Sequence, residues 1–134
     1  MIQWYKDPQK KAIDPELLDG RALAEAKKWV DKKFTSTQLR KYFNEVKHLE
    51  RQLIILKTQD NDSWNNVFPM VKMLKSRISY DKNRKNSNIS DGFKKFIDDS
   101  VNSISRKEDF LVFLKYFEAS VGFFTEVNKE NEKN

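Results

Sequence analysis

The chain has 134 residues, a net charge of +6 and no cysteine. Without cysteine it has no disulfide bridge, no thiolate metal site and no cysteine nucleophile. Its apolar content of 38%, with ten Phe, is too high for a disordered chain, and three Gly and three Pro are too few for the turns of many short strands. We expect one all-α domain over residues 1–134, a compact bundle of about five helices, with an N-terminal extension at 1–13 and a frayed tail at 126–134.

The distribution of apolar residues along the chain is informative about where in the cell the protein is located. Within the first twelve positions the apolar residues are interrupted by charged residues and a proline, so they do not form a secretory segment. Nowhere does an apolar run of about 20 residues occur. These patterns predict a cytoplasmic protein without a membrane partner.

Capping residues and apolar spacing define the first two predicted helices. Asp14 is a good N-cap for a helix that opens at Pro15 and continues to about Lys33. Thr35 and Gln38 have the spacing of a capping box that opens helix two. The apolar positions of helix two are Leu39, Phe43, Val46, Leu49, Leu53 and Leu56. The polar run at 58–66 predicts the loop that follows.

Three further helices are predicted in the second half of the chain. Proline is tolerated in a first helical turn, so helix three is expected to begin near Pro69, and Asn83 is expected to end it in the left-handed conformation. Ser90 caps helix four, and Ser105 with Glu108 has the capping-box spacing that opens helix five. The apolar stripe of helix five consists of Phe110, Phe113, Leu114, Phe117, Val121 and Phe124.

Residues that could carry catalysis are scarce. His48 is the only histidine, and helical spacing places it about 180° from Leu39, on the solvent side of helix two. Neighbouring carboxylates such as Asp98 and Asp99 diverge on a helix and make no convincing acid–base pair. The sequence has no glycine-rich phosphate loop, no metal-ligand spacing and no nucleophile elbow. We therefore predict a protein that is not an enzyme and that holds no cofactor or metal.

The basic residues are more ordered than the acidic ones. Residues 71–95 contain eight basic and two acidic side chains, whereas the rest of the chain is balanced. Two rows occur at helical spacing, Arg40, Lys47 and Arg51 on helix two and Arg77, Tyr80 and Arg84 on helix three, with Lys75 and Lys82 beside the second row. Guanidinium groups suit phosphate oxygens and an exposed tyrosine can stack on a base, so the rows indicate nucleic acid. The alternative is that they are ordinary solvated side chains.

Helix five is apolar on a second side as well. Opposite its Phe stripe, four apolar residues lie within about 60° of one another: Val112, Tyr116, Ala119 and Phe123. Either the helix is central in its bundle or another chain covers this side, and the sequence leaves both open. In the second case Val112, Tyr116 and Phe123 are expected to contact a neighbouring subunit or a second copy of the chain.

Three segments together resemble a known family. They are residues 35–46 (TSTQLRKYFNEV), residues 73–80 (MLKSRISY) followed by Arg84, and residues 109–119 (DFLVFLKYFEA). Their order and spacing resemble the small subunit of type III-A CRISPR effector complexes, the second subunit of the Csm family, and the resemblance covers residues 35–124. One departure is Asn83, since the family often has Gly before the arginine that closes the third helix.

The resemblance implies a non-catalytic subunit that stacks in several copies along the inner filament of an antiviral ribonucleoprotein. Members of the family lie against the guide and target RNA, contact the target mainly through its backbone, and pack against other Csm subunits that carry out cleavage. From the helical spacing of the two basic rows and the excess of positive charge centred on helix three, we expect these rows, with Lys75 and Lys82, to form one groove for the RNA backbone. Two alternatives are a helical scaffold that binds only proteins and a DNA-binding regulator, although no short turn precedes a recognition helix.

Overall fold

Helices make up most of the part of the chain that the computed structural model describes, namely residues 1–57, 63–84 and 88–133. A short 3₁₀ turn at Pro15–Leu18 comes first. Within the described ranges the α-helices are α1 (Gly20–Trp29), α2 (Ser36–Lys57), α3 (Ser63–Asn83), α4 (Asp91–Asn102) and α5 (Lys107–Lys133). The all-α prediction is confirmed.

The first predicted helix is divided in two. Asp14 caps it as expected, but the residues that follow form the 3₁₀ turn rather than an α-helix. The backbone of Asp19 (φ −125°, ψ −99°) leaves the helical region, so α1 begins only after it. The expected end at Lys33 is wrong, because Val30 is already extended (φ −64°, ψ 125°).

Two of the predicted caps are present. The Thr35 N–H donates to Gln38 Oε1 at 2.9 Å and the Gln38 N–H donates to Thr35 Oγ1 at 3.3 Å, so the capping box of α2 is confirmed. At α4 the Phe93 N–H donates to Ser90 Oγ at 3.1 Å. Each cap satisfies an N–H group for which the first helical turn provides no partner.

Helix α3 begins earlier and ends differently than predicted. Its first residue is Ser63, so the expected start near Pro69 is wrong, and Pro69 lies inside the helix with its side chain exposed. The predicted loop at 58–66 is helical from Ser63 onwards, and its residues 58–62 lie outside the described part of the chain. Asn83 does end the helix, but with a negative φ: its side-chain amide donates to the Ser79 carbonyl at 2.8 Å.

Helix α5 opens with a capping box one residue later than predicted. The carboxylate of Asp109, not that of Glu108, accepts hydrogen bonds from the N–H groups of Ser105 at 3.1 Å and Arg106 at 3.3 Å. Burial alone would raise the pKa of Asp109, but the hydrogen bonds that it accepts outweigh burial and lower that pKa. At its other end α5 continues through most of the segment 126–134, which we expected to fray.

The N-terminal extension packs against the beginning of α5. Tyr5 and Ile13 pair in an antiparallel bridge, which makes the extension a small hairpin. Trp4 is buried, and its Nε1–H donates to the Ser103 carbonyl at 2.9 Å. The Tyr5 hydroxyl donates to Asp109 at 2.8 Å. The hairpin therefore adds an aromatic side chain to the core and ties itself to the α4–α5 turn.

Aromatic side chains dominate the core, and Phe117 of α5 lies at its centre. Its ring centroid lies 5.2–6.0 Å from the rings of Trp29, Phe43, Phe93 and Phe96, which belong to α1, α2 and α4. Helices α1 and α4 approach each other closely at Gly92, where a Cβ atom would lie 2.0 Å from the Lys28 carbonyl oxygen. Only glycine fits there.

Candidate nucleic-acid interface

The basic residues of α3 lie on two flanks because the buried stripe of the helix runs between them. That stripe consists of Val67, Val71, Leu74 and Ile78. On the α2 side, Arg77 Nη1 lies 3.3 Å from Glu45 Oε2, and both side chains retain solvent contact. The Arg77 guanidinium is half-exposed, whereas Glu45 Oε2 is buried and accepts no hydrogen bond from the described residues, so an external anion that draws Arg77 away has to compensate for the loss of this pair.

On the other flank, two lysines are directed towards α4. Lys75 Nζ donates to Asn102 Oδ1 at 2.6 Å, and Lys82 Nζ lies 2.5 Å from Asp91 Oδ1. The hydrogen bond and positive charge of Lys82 lower the pKa of Asp91. Both lysines thus link α3 to α4 within the chain.

Tyr80 and Arg84 form the most open part of the α3 row. The Tyr80 side chain is 69% exposed, and the Arg84 guanidinium carbon lies 5.8 Å from the centroid of its ring. Arg84 also lies 3.9 Å from the carboxylate of Asp81, a long and exposed ion pair. An exposed ring beside a guanidinium group is an arrangement that suits stacking on a nucleobase.

Asp81 fixes this part of α3 against α2. The Tyr42 hydroxyl donates to Asp81 Oδ2, and Lys41 Nζ lies 3.3 Å from the same oxygen. Burial, followed by the hydrogen bond to Asp81, raises the pKa of Tyr42 far above its usual value. Burial alone would raise the pKa of Asp81, but the hydrogen bonds from Tyr42 and Lys41 outweigh it and lower that pKa. At neutral pH the pair is therefore a neutral phenol on a charged carboxylate.

The basic row of α2 lies on a different side from the row of α3. Arg40 and Arg51 are exposed and, within the described residues, make no ion pair. Lys47 is half-buried and lies 2.9 Å from Glu50. Helical geometry places this row about 150° around α2 from Lys41, Tyr42 and Glu45, the residues that bond to α3. The sequence predicts that the two rows form one groove. In the structure they lie on different sides and do not.

A different set of residues lines the space between the two helices, which we call the α2–α3 groove. Its volume is about 600 Å³. It is lined by Lys41, Asn44, Glu45, His48, Leu49, Gln52, Met70, Leu74 and Arg77. A more open hollow, lined by Lys41, Glu45, Ser76, Arg77, Tyr80 and Asp81, continues from the groove towards the end of α3. The groove and the hollow share Lys41, Glu45 and Arg77.

On the opposite side of α2 lies a second space, which we call the α2–α5 recess. Its volume is about 410 Å³. Its lining comprises Ile13, Lys47, Glu50, Glu108, Leu111, Val112, Leu114, Lys115 and Glu118. Three carboxylates and two ammonium groups surround this apolar floor, so the recess is weakly acidic. Lys47 belongs to it.

Comparison with known protein families decides what this bundle is. The family model described as Csm2 Type III-A matches residues 12–130. The chain belongs to the Csm2 Type III-A family. It is therefore a small subunit of a type III-A CRISPR effector complex with other Csm subunits as partners, which confirms the resemblance seen in the sequence. No curated protein and no solved structure matches the chain.

The Csm2 match covers more of the chain than the three segments that resemble the family. It begins at residue 12, so it includes the 3₁₀ turn and α1 as well as α2 to α5. Residues 1–11, most of the N-terminal hairpin, precede it. The hairpin covers part of α5 in this Csm2 chain.

The second apolar side of α5 is largely buried by the chain itself. Val112 and Tyr116 are each 5% exposed, and the Trp4 ring packs against Tyr116 with centroids 6.2 Å apart. The chain itself therefore buries most of both side chains, and the remaining exposed part of Val112 lines the α2–α5 recess. Phe123 is half-buried, and a contact between Phe123 and another subunit stays a prediction.

The histidine and the adjacent aspartates that could have served in catalysis lie at the protein surface. His48 is exposed, and its Nε2 lies 3.5 Å from Gln52 Nε2 at the edge of the α2–α3 groove. Asp98 pairs with Lys94, and Asp99 with Lys95. Among the residues with a described placement, no cluster of three or more potential metal ligands occurs, and no helix has the length and apolarity needed to cross a membrane.

Sequence reasoning missed most of the groove lining. Lys41, Glu45, His48 and Gln52 follow one another at helical spacing on α2, next to its buried stripe. This row of polar residues can be found in the sequence. The sequence does not indicate, however, which side of α2 packs against α3. Met70 was missed because Pro69 appeared to mark the beginning of the helix.

Proposed function

We propose that copies of this chain stack along the guide and target RNA of the Csm complex and hold the target strand by its backbone, without catalysing cleavage. Family membership supports a place in the complex. The observation that carries the RNA contact is the row Arg77, Tyr80 and Arg84, in which two guanidinium groups flank an exposed ring. Such groups bind phosphates and bases of any sequence.

Two exposed arginines of α2 lie outside the proposed contact surface. Arg40 and Arg51 make no ion pair within the described residues, but their row lies on a different side of α2 from the α3 row. Lys47, Lys75 and Lys82 are engaged inside the chain and lie outside the surface that we propose. The contact surface is therefore smaller than the sequence alone indicated.

A surface of this kind needs no sequence readout. In RNA-guided complexes, base pairing between guide and target selects the sequence, and the protein recognises charge and shape. One copy offers few phosphate contacts, but several copies along one strand act together and raise the overall affinity. We propose that the assembled complex works in this way in the cytoplasm as part of antiviral defence.

The alternative function is a helical scaffold that binds only other Csm subunits. The observation in its favour is that Arg77 and Arg84 already have carboxylate partners, Glu45 and Asp81. If those pairs persist in the complex, the α3 row is only a solvated face.

Photo-crosslinking of the assembled complex to target RNA tests the proposal. We expect ultraviolet irradiation to attach nucleotides to the α3 peptide that contains Tyr80, because an aromatic ring next to RNA crosslinks readily. Arg77→Ala with Arg84→Ala should reduce the yield several-fold, whereas the matched control Lys27→Ala with Lys32→Ala removes two exposed charges elsewhere and should not. Crosslinks confined to other subunits would favour the scaffold.

A further inference from the structure

The α2–α3 groove has a floor and a rim of different chemistry. Leu49 and Leu74 form a buried apolar floor, and Met70, 38% exposed, extends it towards solvent. A volume of about 600 Å³ is within the range of small-molecule sites, and such sites combine an apolar lining with a few polar groups. The groove therefore has room for a ring system rather than only for water.

The rim on α2 carries three polar groups that can donate and accept hydrogen bonds. They are the amides of Asn44 and Gln52 and the imidazole of His48. The Asn44 side chain makes no hydrogen bond within the described residues, and the His48–Gln52 contact of 3.5 Å is at the limit of hydrogen bonding. These groups have free capacity for a planar ligand with polar edges. A nucleobase has this combination of apolar faces and polar edges.

Positive charge lies at the mouth of the groove. Lys41 and Arg77 flank it and are paired with Asp81 and Glu45 respectively. Among the described residues of the groove lining, Glu45 is the one carboxylate. The hollow beyond Arg77 leads to Tyr80, the ring already placed in the proposed RNA contact. A ligand with an anionic tail and a planar body thus matches both parts, whereas the acidic rim of the α2–α5 recess repels such a tail.

We infer that the α2–α3 groove binds a single unpaired nucleobase of an RNA strand whose phosphates lie along Arg77 and Arg84. The base lies on Leu49, Leu74 and Met70, and its edge bonds to the Asn44, His48 and Gln52 side chains. This inference rests on the proposed RNA contact and adds to it a subsite for the base. The subsite tolerates different bases, because amide and imidazole groups offer both donors and acceptors.

The test is a titration of the full-length chain followed by ¹⁵N NMR, which detects binding up to the millimolar range. The probes are a single-stranded oligouridylate and an abasic ribose-phosphate strand of the same length. The rim variant Asn44→Leu with Gln52→Leu removes two uncharged amides. Its matched control is Thr37→Leu with Asn65→Leu, which alters two exposed polar helix residues outside the groove.

We expect the wild type to bind oligouridylate more tightly than the abasic strand, with the Asn44 and Gln52 side-chain signals shifting only for the former. The rim variant should lose about tenfold in affinity for oligouridylate, as expected for two hydrogen bonds, and nothing for the abasic strand. Arg77→Ala with Arg84→Ala should weaken binding of both strands, which separates the base subsite from the phosphate contact.

Equal affinity of the wild type for both strands, or an unchanged rim variant, overturns the base subsite and leaves the phosphate contact standing. No binding of either strand at millimolar concentration also overturns the subsite, and crosslinking of the assembled complex then decides on the proposed function alone. If the rim variant binds both strands normally but no longer enters the Csm complex, the groove receives a segment of a neighbouring protein and not a base.

Discussion

Helix α2 borders two spaces whose described rims carry opposite net charge. The α2–α3 groove has two basic groups and one carboxylate in its lining, whereas the α2–α5 recess has two basic groups and three carboxylates. Both floors are apolar, so hydrophobicity does not distinguish them. The charges on the rims of the groove and the recess therefore determine which polyanion or protein can bind to each of them. The same helix can therefore have one side suited to RNA and another that is not.

The contacts that attach α2 to α5 and to α3 also differ in kind. Towards α5, the Phe43 ring packs edge-on against Phe117 with centroids 5.2 Å apart, so the contact is aromatic and deep. Towards α3, the contact near the groove depends on the polar link from Tyr42 and Lys41 to Asp81. We expect substitutions on the first side to cost more stability than substitutions on the second.

The largest effect is expected for Phe117→Ala. Phe117 is fully buried among rings of three other helices, so its truncation should lower the free energy of unfolding by about 3–5 kcal/mol. Chemical denaturation followed by circular dichroism measures the loss, and a single transition is expected if the chain is one domain. Leu111→Ala, on the outer side of α5 and 37% exposed, is the matched control and should cost under about 1 kcal/mol. A similar small loss for Phe117→Ala would mean that α5 is not central.

A smaller effect is expected for Tyr42→Phe, which removes the polar link on the other side of α2. The loss of one hydrogen bond to a charged carboxylate should cost about 1–2 kcal/mol at neutral pH. Tyr80→Phe, which alters an exposed hydroxyl of α3, is the control and should stay within about 0.5 kcal/mol of the wild type. If both variants lose the same stability, the Tyr42–Asp81 bond does not hold α2 to α3.

The same link predicts how that loss depends on pH. The folded pKa of Asp81 is lowered, so its contribution is present above its unfolded pKa of about 3.9 and is lost as the pH falls through the lowered value. The folded pKa of Tyr42 is raised, so its contribution is present below about pH 10 and is lost as the pH rises further. The stability difference between wild type and Tyr42→Phe should therefore narrow at both extremes. A difference independent of pH would contradict the assignment.

Two features set by neighbouring residues were predicted correctly from the sequence, whereas the equally local Ser105–Glu108 box and the left-handed Asn83 were not. The Thr35–Gln38 box and the Ser90 cap depend on residues three positions apart, and both are present. The start of α3 could not be predicted, because buried Val67 and Val71 keep the helix continuous around Pro69 and outweigh its missing hydrogen bond. Local propensity is a weak guide where tertiary packing acts on the same residues.

Features set by distant parts of the chain could not be predicted. On the second apolar side of α5 the Tyr116 ring packs against Trp4, more than a hundred residues earlier in the chain, and no periodicity in α5 identifies that partner. The α2–α3 groove likewise depends on which side of α2 meets α3, and the row of Arg40 and Arg51 proved to lie elsewhere. The arginine row of α3 could be found in advance because its spacing is a property of one helix.

Salt dependence of target-RNA binding by assembled complexes tests the central claim, that RNA lies on the α3 side of α2. Two variants each remove two positive charges per copy, Arg77→Ala with Arg84→Ala on the groove side and Lys47→Ala with Lys115→Ala in the recess. With assembly verified, the groove-side variant should weaken binding and reduce the slope of log K against log salt by about 0.7 per lost contact, whereas the recess variant should keep the wild-type slope. Equal affinities and equal slopes for all three complexes would contradict the claim and favour the protein-only scaffold.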